Sequence, residues 1–326
     1  MRKKISVVIP AYNDFASIEP MYHRIVKVFS SELPNYDYNI TYVEDGSPDM
    51  GKTWFEIEKL CAVDPKVRGV QNSHNFGIYR NQFASMFYGD GDATIMIYGD
   101  MQDPPEMIPS LVKFWEEGNQ VVMGVRPKQY YNWFFTIMRK VYYSLITKLS
   151  KNRQIEGANG FGLYDKSFVS ILEQIDDVQP LLPGVATEYV GSIKLVEVEQ
   201  EKGGREGKSN LNFWGKYDVA MVSITAYTKY LLRIITFVGM LIGFLSVLFA
   251  MYIFFLRIFS ANDFPLGIPG LTVGMFFLGG VQLFFLGILG EYILAINNRT
   301  MKRPLVTIKK KLNFEEKKGE DVQGAN

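Results

Sequence analysis

Apolar and polar positions alternate along the first 125 or so residues in short blocks. Ile5–Ile9 is a compact β-branched run closed by Pro10, the pattern of a buried strand. Ile18–Leu33 repeats its apolar residues at helical spacing. Tyr38–Val43, Gly69–Asn72, Ala93–Tyr98 and Gln120–Gly124 read as further strands. Thr53–Val63, Arg80–Tyr88 and Pro105–Glu117 read as the helices between them. Strict alternation of strand and helix predicts an α/β domain with a Rossmann-like, mostly parallel sheet covered on both faces. In such sheets ligands bind beyond the carboxyl ends of the strands.

The pattern changes after Leu231. From there to Ile296 the formal charges are Arg233, Arg257, Asp263 and Glu291 alone. Ile234–Leu256 and Phe264–Gly290 carry none, and each exceeds the roughly 20 residues a helix needs to cross a bilayer. The short link between them predicts an antiparallel transmembrane hairpin, with spans at 234–257 and 268–291. Pro265 and Pro269 put the start of the second helix near Gly270. Lys216, Lys229 and Arg233 precede the hairpin, and Arg299, Lys302, Arg303, Lys309, Lys310 and Lys311 follow it. Its loop has only Arg257 and Asp263, so the positive-inside rule places both ends in the cytoplasm. The apolar run behind Met1–Lys4 is too short for a signal peptide. The expected organisation is a cytoplasmic domain over 1–215, a juxtamembrane helix over 216–233, the two spans, and a basic cytoplasmic segment with a disordered tail over 292–326. The expected location is the cytoplasmic membrane.

Overall charge is nearly balanced, 35 Lys and Arg against 34 Asp and Glu, which argues against a nucleic-acid binder. Cys61 is the single cysteine, and His23 and His74 are the two histidines, which removes a disulfide framework and a His/Cys metal site. The residues 118–155 contain no acid, and Arg126, Lys128, Arg139, Lys140, Lys148, Lys151 and Arg153 are cations. Trp133–Leu149 repeats apolar residues at helical spacing among them, so 126–153 reads as basic interfacial helices at a lipid surface.

The predicted strands end in polar clusters: Tyr12-Asn13-Asp14, Glu44-Asp45-Gly46-Ser47 and Asp100-Met101-Gln102-Asp103. Carboxylates without His or Cys suit a hard cation, Mg²⁺ or Mn²⁺, that keeps waters and bridges to substrate phosphates. Singly, Asp45 and Asp100 could be turn or cap residues. Together at one sheet edge they point to a nucleotide-diphosphate site.

The ordered series Ser6–Asp14, Glu44–Asp49, Asn75-Phe76-Gly77, Gly99–Glu106, Gly124-Val-Arg126, Gly160–Asp165, Arg205–Ser209 and Gly290-Glu-Tyr292 with Arg303-Pro304 resembles the inverting family 2 glycosyltransferases. Within them it is similar to the dolichol-phosphate mannose synthase group, and especially to bacterial polyprenyl-phosphate glycosyltransferases with a C-terminal membrane hairpin. The resemblance spans nearly the whole chain. It implies a GT-A fold, a nucleotide-sugar donor (a UDP-sugar before a GDP-sugar), a polyprenyl phosphate acceptor, inversion at the anomeric carbon and Mg²⁺ or Mn²⁺. It further implies that Pro10, Tyr12, Asp14, Glu44 and Asp45 line the nucleotide pocket and that Asp100 and Gln102 hold the metal. Asp103 would organise the metal loop. Arg126, Arg205, Arg139 and Ser209 would meet the acceptor phosphate, the two former also acting in catalysis with Asp100 and Asp103. A homo-oligomer is compatible with it.

Three positions depart from the family pattern. Tyr98 stands where an acid is usual, Glu44 where Asp is common, and Gly160-Phe161-Gly162 where many members have an acid and a base. Tyr98 keeps a second reading open, a catalytically impaired lipid- or nucleotide-binding scaffold of the same fold. A processive polysaccharide synthase would need a larger membrane bundle and a QxxRW-type motif, and neither is present.

Overall fold

The computed structural model describes residues 2–126, 155, 157–176, 181–199, 268–301 and 303–314, with 237–242, 244–246, 248–249, 251–252 and 255 from the apolar region. Contacts divide the chain into two compact units, one holding the sheet and the segment from Lys302 onward, the other holding the apolar helices.

In the first unit the order is β1 (Lys4–Ala11), α1 (Phe15–Ser31), β2 (Asp37–Glu44), α2 (Lys52–Val63), β3 (Val67–Asn72), α3 (Ile78–Met86) and β4 (Ala93–Met96). A short 3₁₀ turn at Pro105–Met107 leads into α4 (Ile108–Glu116), followed by β5 (Val121–Val125). Next come β6 (Ala158–Asp165), α5 (Lys166–Leu172), α6 (Leu182–Tyr189) and β7 (Ile193–Glu197). The strands form one sheet in the order β7-β5-β6-β4-β1-β2-β3-β8, where β8 is Ile308–Leu312.

Every residue of β1 after Lys4 is buried, because helices cover both faces. Ile5, Val7, Ile9 and Ala11 meet α1, α2 and α4 through Ile18, Ile25, Trp54, Ile57 and Leu111. Val8 on the other face joins Met96, Phe83 and Met86, and the α5 and α6 residues Phe168, Leu172, Leu182 and Val185. This double cover explains the mainly apolar, β-branched runs that identify β1 and β4 in the sequence.

The ladders β1–β2, β2–β3, β1–β4 and β5–β7 are parallel. Those of β4–β6, β5–β6 and β3–β8 are antiparallel. The expected mostly parallel sheet therefore describes its centre, and antiparallel strands enter on both sides. The chain runs outward from β1 through β2 to β3, then crosses to β4 on the other side of β1. That reversal opens a crevice at the carboxyl ends of β1 and β4.

Three strands, β6, β7 and β8, lie where the sequence reading expected none. β6 carries Gly160 and Gly162, which lower strand propensity, yet close packing demands them. A Cβ at Gly162 would lie 2.3 Å from the Val122 carbonyl oxygen, and one at Gly160 would lie 1.9 Å from Gln82 Nε2. β8 lies inside the segment 292–326, for which no element was expected. Lys309, Lys310 and Lys311 leave only Ile308 and Leu312 as its apolar residues, and a lysine-rich strand suits a sheet edge.

The second unit contains helical residues within α7 (Phe237–Ser246) and the 33-residue α8 (Ile268–Thr300). Phe277–Asn297 is long and apolar enough to cross a membrane, with mean hydropathy 1.7 and none of that window buried. Many of its described apolar residues are exposed, among them Phe277, Leu283, Phe284 and Ile293. Val238 and Ile242 line an apolar groove of about 480 Å³ with Phe277, Gly280, Val281 and Phe284. The helix runs beyond the expected end at 291. The interfacial segment after Arg126 and the juxtamembrane helix lie outside the described residues, as does much of 234–257.

Candidate active site

The loops after β1, β2 and β4 form the walls of the crevice. After β1, the Tyr12 amide donates to Asp14 Oδ2 at 2.9 Å, and the Asp14 amide donates to Thr53 Oγ1 at 3.0 Å. Asn13 between them has φ 60°, a left-handed turn that asparagine tolerates. Asp14 is 5% exposed and its Oδ2 lies beside Gly99, where a Cβ would be 3.3 Å away. The Gly99 amide donates to the Pro10 carbonyl at 3.2 Å. Pro10, Asp14 and the start of the Asp100 loop are thus brought together, and Tyr12 stands half-buried at the rim.

After β2, Glu44 and Asp45 are each 2% exposed. Glu44 Oε1 accepts the Ser47 amide at 2.5 Å, and Ser47 Oγ accepts the Asn13 amide at 2.9 Å, tying this loop to the first. Glu44 Oε2 is buried and has no hydrogen-bond partner among the described residues, an open acceptor at the sheet edge. Asp45 turns inward. Its Oδ1 accepts from Asn72 Nδ2 at 2.8 Å and from the Phe76 amide at 3.0 Å, and its Oδ2 accepts the Gly77 amide at 3.0 Å. Burial raises its pKa, these three donors pull it back, and the neighbouring Glu44 raises it again. The carboxylate clamps the 72–77 segment onto the pocket.

Gly46 makes that clamp possible. Its φ is +60°, and a Cβ there would stand 2.4 Å from the His74 carbonyl carbon. Gly46→Ala is expected to cost about 2 kcal/mol by combining a backbone clash with a disfavoured φ. Guanidinium unfolding of the detergent-solubilised chain measures this, and an unchanged midpoint would show that the contact is not tight in solution.

After β4, Asp100 is half-buried and its Oδ1 accepts the Gln102 amide at 3.2 Å. Met101 between them has φ 60°, rare for an unbranched apolar residue and a mark of a loop held against local preference. Asp103 is fully buried. Its Oδ1 accepts from Arg126 Nε at 3.2 Å and closely from a second guanidinium nitrogen, and its Oδ2 accepts from Asn159 Nδ2 at 3.3 Å. Arg126 Nη1 also donates to Gln102 Oε1 at 3.3 Å. Burial raises the Asp103 pKa, and Arg126 and Asn159 hold it down against the nearby Asp100. The guanidinium therefore joins the end of β5 to the acidic loop.

Tyr98 has its own partner. Its hydroxyl donates to the Asn159 carbonyl at 2.9 Å, beside Gln82 Nε2, which donates to the same oxygen at 3.0 Å. Burial, with Asp103, Tyr79 and Tyr164 adding to it and Arg126 opposing, raises its pKa well above the usual tyrosine value. It is a neutral donor that braces β4 against β6. Asn159 was not anticipated from the sequence, and neither were Gln82, Asn72 and Thr53. Asn159 precedes the Gly160–Asp165 motif by one residue, the only sequence signal it has.

No group of three or more His, Cys, Asp or Glu residues forms a metal cage among the described residues. Asp100 and Gln102 offer a sparse set of hard oxygens. That set fits a cation that takes its remaining ligands from water and a diphosphate. Arg139, Arg205 and Ser209 lie outside the described residues.

Comparison with known proteins places this geometry. The family model for glycosyl transferase family 2 matches residues 6–171. The SfII prophage-derived bactoprenol glucosyl transferase of Shigella flexneri is 32% identical over 311 residues, 94% of this chain and 98% of that protein. A prophage bactoprenol glucosyl transferase homolog of Escherichia coli (strain K12) is 30% identical over 311 residues, 94% of this chain and 99% of that one. The crystal structure of glucosyl-3-phosphoglycerate synthase from Mycobacterium tuberculosis with uridine diphosphate aligns over 68% of this chain and 78% of its own. That alignment has 18% identity and a TM-score of 0.47. With its strand-end loops gathered at one crevice and relatives alike from end to end, the chain belongs to glycosyl transferase family 2.

Proposed function

We propose that this protein transfers a sugar from a nucleotide-sugar, a UDP-sugar by preference, to polyprenyl phosphate at the cytoplasmic face of a bacterial membrane. The observation that carries this reading is the end-to-end likeness to proteins named bactoprenol glucosyl transferase. Asp14, the open Glu44 acceptor and the Asp100 loop at one crevice support it. The nucleotide lies over Pro10, Tyr12 and Asp14, with Glu44 Oε2 accepting from one of its hydroxyl or amide groups. Asp45 shapes that pocket through the 72–77 segment.

Asp100 and Gln102 would hold Mg²⁺ or Mn²⁺, whose chemistry here is to neutralise charge on the departing diphosphate. Asp103 and Arg126 keep the acidic loop in place, and Arg126, Arg205, Arg139 and Ser209 orient the acceptor phosphate. A phosphate monoester has a second pKa near ~6, so at neutral pH the acceptor is mostly a dianion and needs no general base. Catalysis is then positioning and electrostatics. Direct attack of the phosphate oxygen on the anomeric carbon inverts it, and a product of retained configuration would overturn this mechanism.

The catalytic domain and both termini lie in the cytoplasm in this reading. The apolar region forms a two-helix hairpin in the cytoplasmic membrane, for which the groove lined by Val238, Ile242 and Phe284 is the support. The basic segment 126–153 is read as interfacial helices at the lipid surface, on its cations and its apolar spacing.

The test is transfer from labelled UDP- and GDP-sugars to undecaprenyl phosphate by the detergent-solubilised chain. Label is expected in the organic phase with Mg²⁺ or Mn²⁺, is lost on chelation, and returns when the cation is restored. No transfer from any donor, with no nucleotide binding, would replace this reading by the impaired scaffold.

A further inference from the structure

The segment after α8 returns to the sheet and touches the very loop that Asp45 clamps. β8 pairs antiparallel with β3, from Gly69 opposite Leu312 to Asn72 opposite Ile308. At its far end, Asn313 Nδ2 donates to the carbonyls of Cys61 at 2.7 Å and Val67 at 2.8 Å, and its φ of 58° fixes the turn that allows both. Leu312 packs on the core that contains α1 and α2, and Leu305 packs on the opposite one. At the near end, the Ser73 amide donates to the Thr307 carbonyl at 2.8 Å, and the two hydroxyls are in contact. Ser73 opens the segment whose Phe76 and Gly77 amides bind Asp45.

We propose that β8 is a positioning strap for the 73–77 loop, and through Asp45 for the nucleotide pocket. The loop has two anchors, one from the pocket side and one from the strap. Its His74 and Phe76 rings lean on each other at 3.9 Å, so the loop moves as a unit when either anchor is lost. The strap contributes no group to the reacting atoms. Its effect is to hold the Phe76 and Gly77 amides where Asp45 can accept them. The consequence for donor binding rests on the function proposed above, whereas the mechanical link does not.

Two variants of the full detergent-solubilised chain test it. Asn313→Ala removes both side-chain bonds at the far end, and Thr307→Val removes the hydroxyl contact from the strap side, leaving the Ser73 Oγ contact to His74 Nδ1 at 3.0 Å in place, with Thr307→Ser as the conservative restoration. Hydrogen exchange at residues 73–77 is expected to quicken about tenfold in Asn313→Ala, with β1 and β4 amides unchanged. Thr307→Val is expected to show a smaller change that Thr307→Ser reverses. The KM for the sugar nucleotide is expected to rise about fivefold with kcat within about twofold. Titration with UDP and Mg²⁺ is expected to follow KM. Exchange at 73–77 that is unchanged, or that quickens equally throughout the sheet, overturns the strap. A fall in kcat at unchanged KM overturns its link to the donor. If the wild-type chain neither transfers sugar nor binds UDP, the proposed function fails, and the exchange data alone still decide the strap.

Discussion

Replacing Asp100 by alanine is expected to lower sugar transfer by about a thousandfold while leaving the fold intact. The side chain is half-buried, and the hydrogen bond described for it is a long one from the Gln102 amide. Its loss is expected to cost stability under about 1 kcal/mol. A structural residue would behave in the opposite way, with activity following stability. Asp100→Asn separates charge from shape, because the amide oxygen can still accept from Gln102 but carries no charge. Both variants are expected to lose transfer alike and to stay within about 1 kcal/mol of wild-type stability. Transfer within about threefold of wild type in either variant would remove Asp100 from the proposed chemistry.

Arg126→Met is expected to destabilise the chain by about 3–5 kcal/mol, the usual result of stripping one partner from a buried ion pair. Arg126 has a side chain 11% exposed and Asp103 one 1% exposed, so solvent screens the pair little. The pH dependence has a definite sign. Burial already raises the Asp103 pKa in the folded chain above its unfolded value, and Arg126 is the main group opposing that rise. A raised folded pKa means that the buried anion costs stability at neutral pH, and the cost vanishes below the unfolded pKa, where both states are protonated. Without Arg126 the folded pKa climbs further. The deficit of the variant is therefore largest at neutral pH and shrinks as pH falls through the new folded pKa. Guanidinium unfolding at neutral and acid pH measures it. Adding Asp103→Asn to Arg126→Met should recover much of the loss, since no charge then lies buried alone. An equal deficit at both pH values, with no recovery in the double variant, would mean that the loss comes from packing of the arginine stem.

How far the sequence foretold this arrangement depends on how local each signal is. β1, β2 and β4 are legible because strands covered on both faces are rich in β-branched and apolar residues, with Ser6, Asn39, Thr41 and Thr94 as the buried polar exceptions. The polar ends of those strands are legible for the same reason, as abrupt breaks in such runs. β6 escapes because its glycines answer to Val122 and Gln82, contacts that no local pattern encodes. The role of Asp45 escapes likewise. Its type and place were readable, but the donors that occupy it stand 27 to 32 residues further along the chain. Tyr98 reads in sequence as a missing acid. In the structure it is a hydroxyl that meets the Asn159 carbonyl, 61 residues away.

The pairing of β8 with β3 bears on the order in which the protein can be completed. Asn313 and the Cys61 carbonyl it binds are 252 residues apart. The ribosome therefore makes the apolar helix before it makes the strand that closes this sheet. Until then β3 offers a row of bare amides and carbonyls to any passing strand. Contacts this distant in sequence form slowly. A nascent chain stalled after Glu199 would hold all three loops of the crevice and still present an open edge. Synthesis of the apolar helix and closure of the sheet are thus successive steps in making the chain. A version ended before the apolar helix would lack β8 and keep this aggregation-prone edge open.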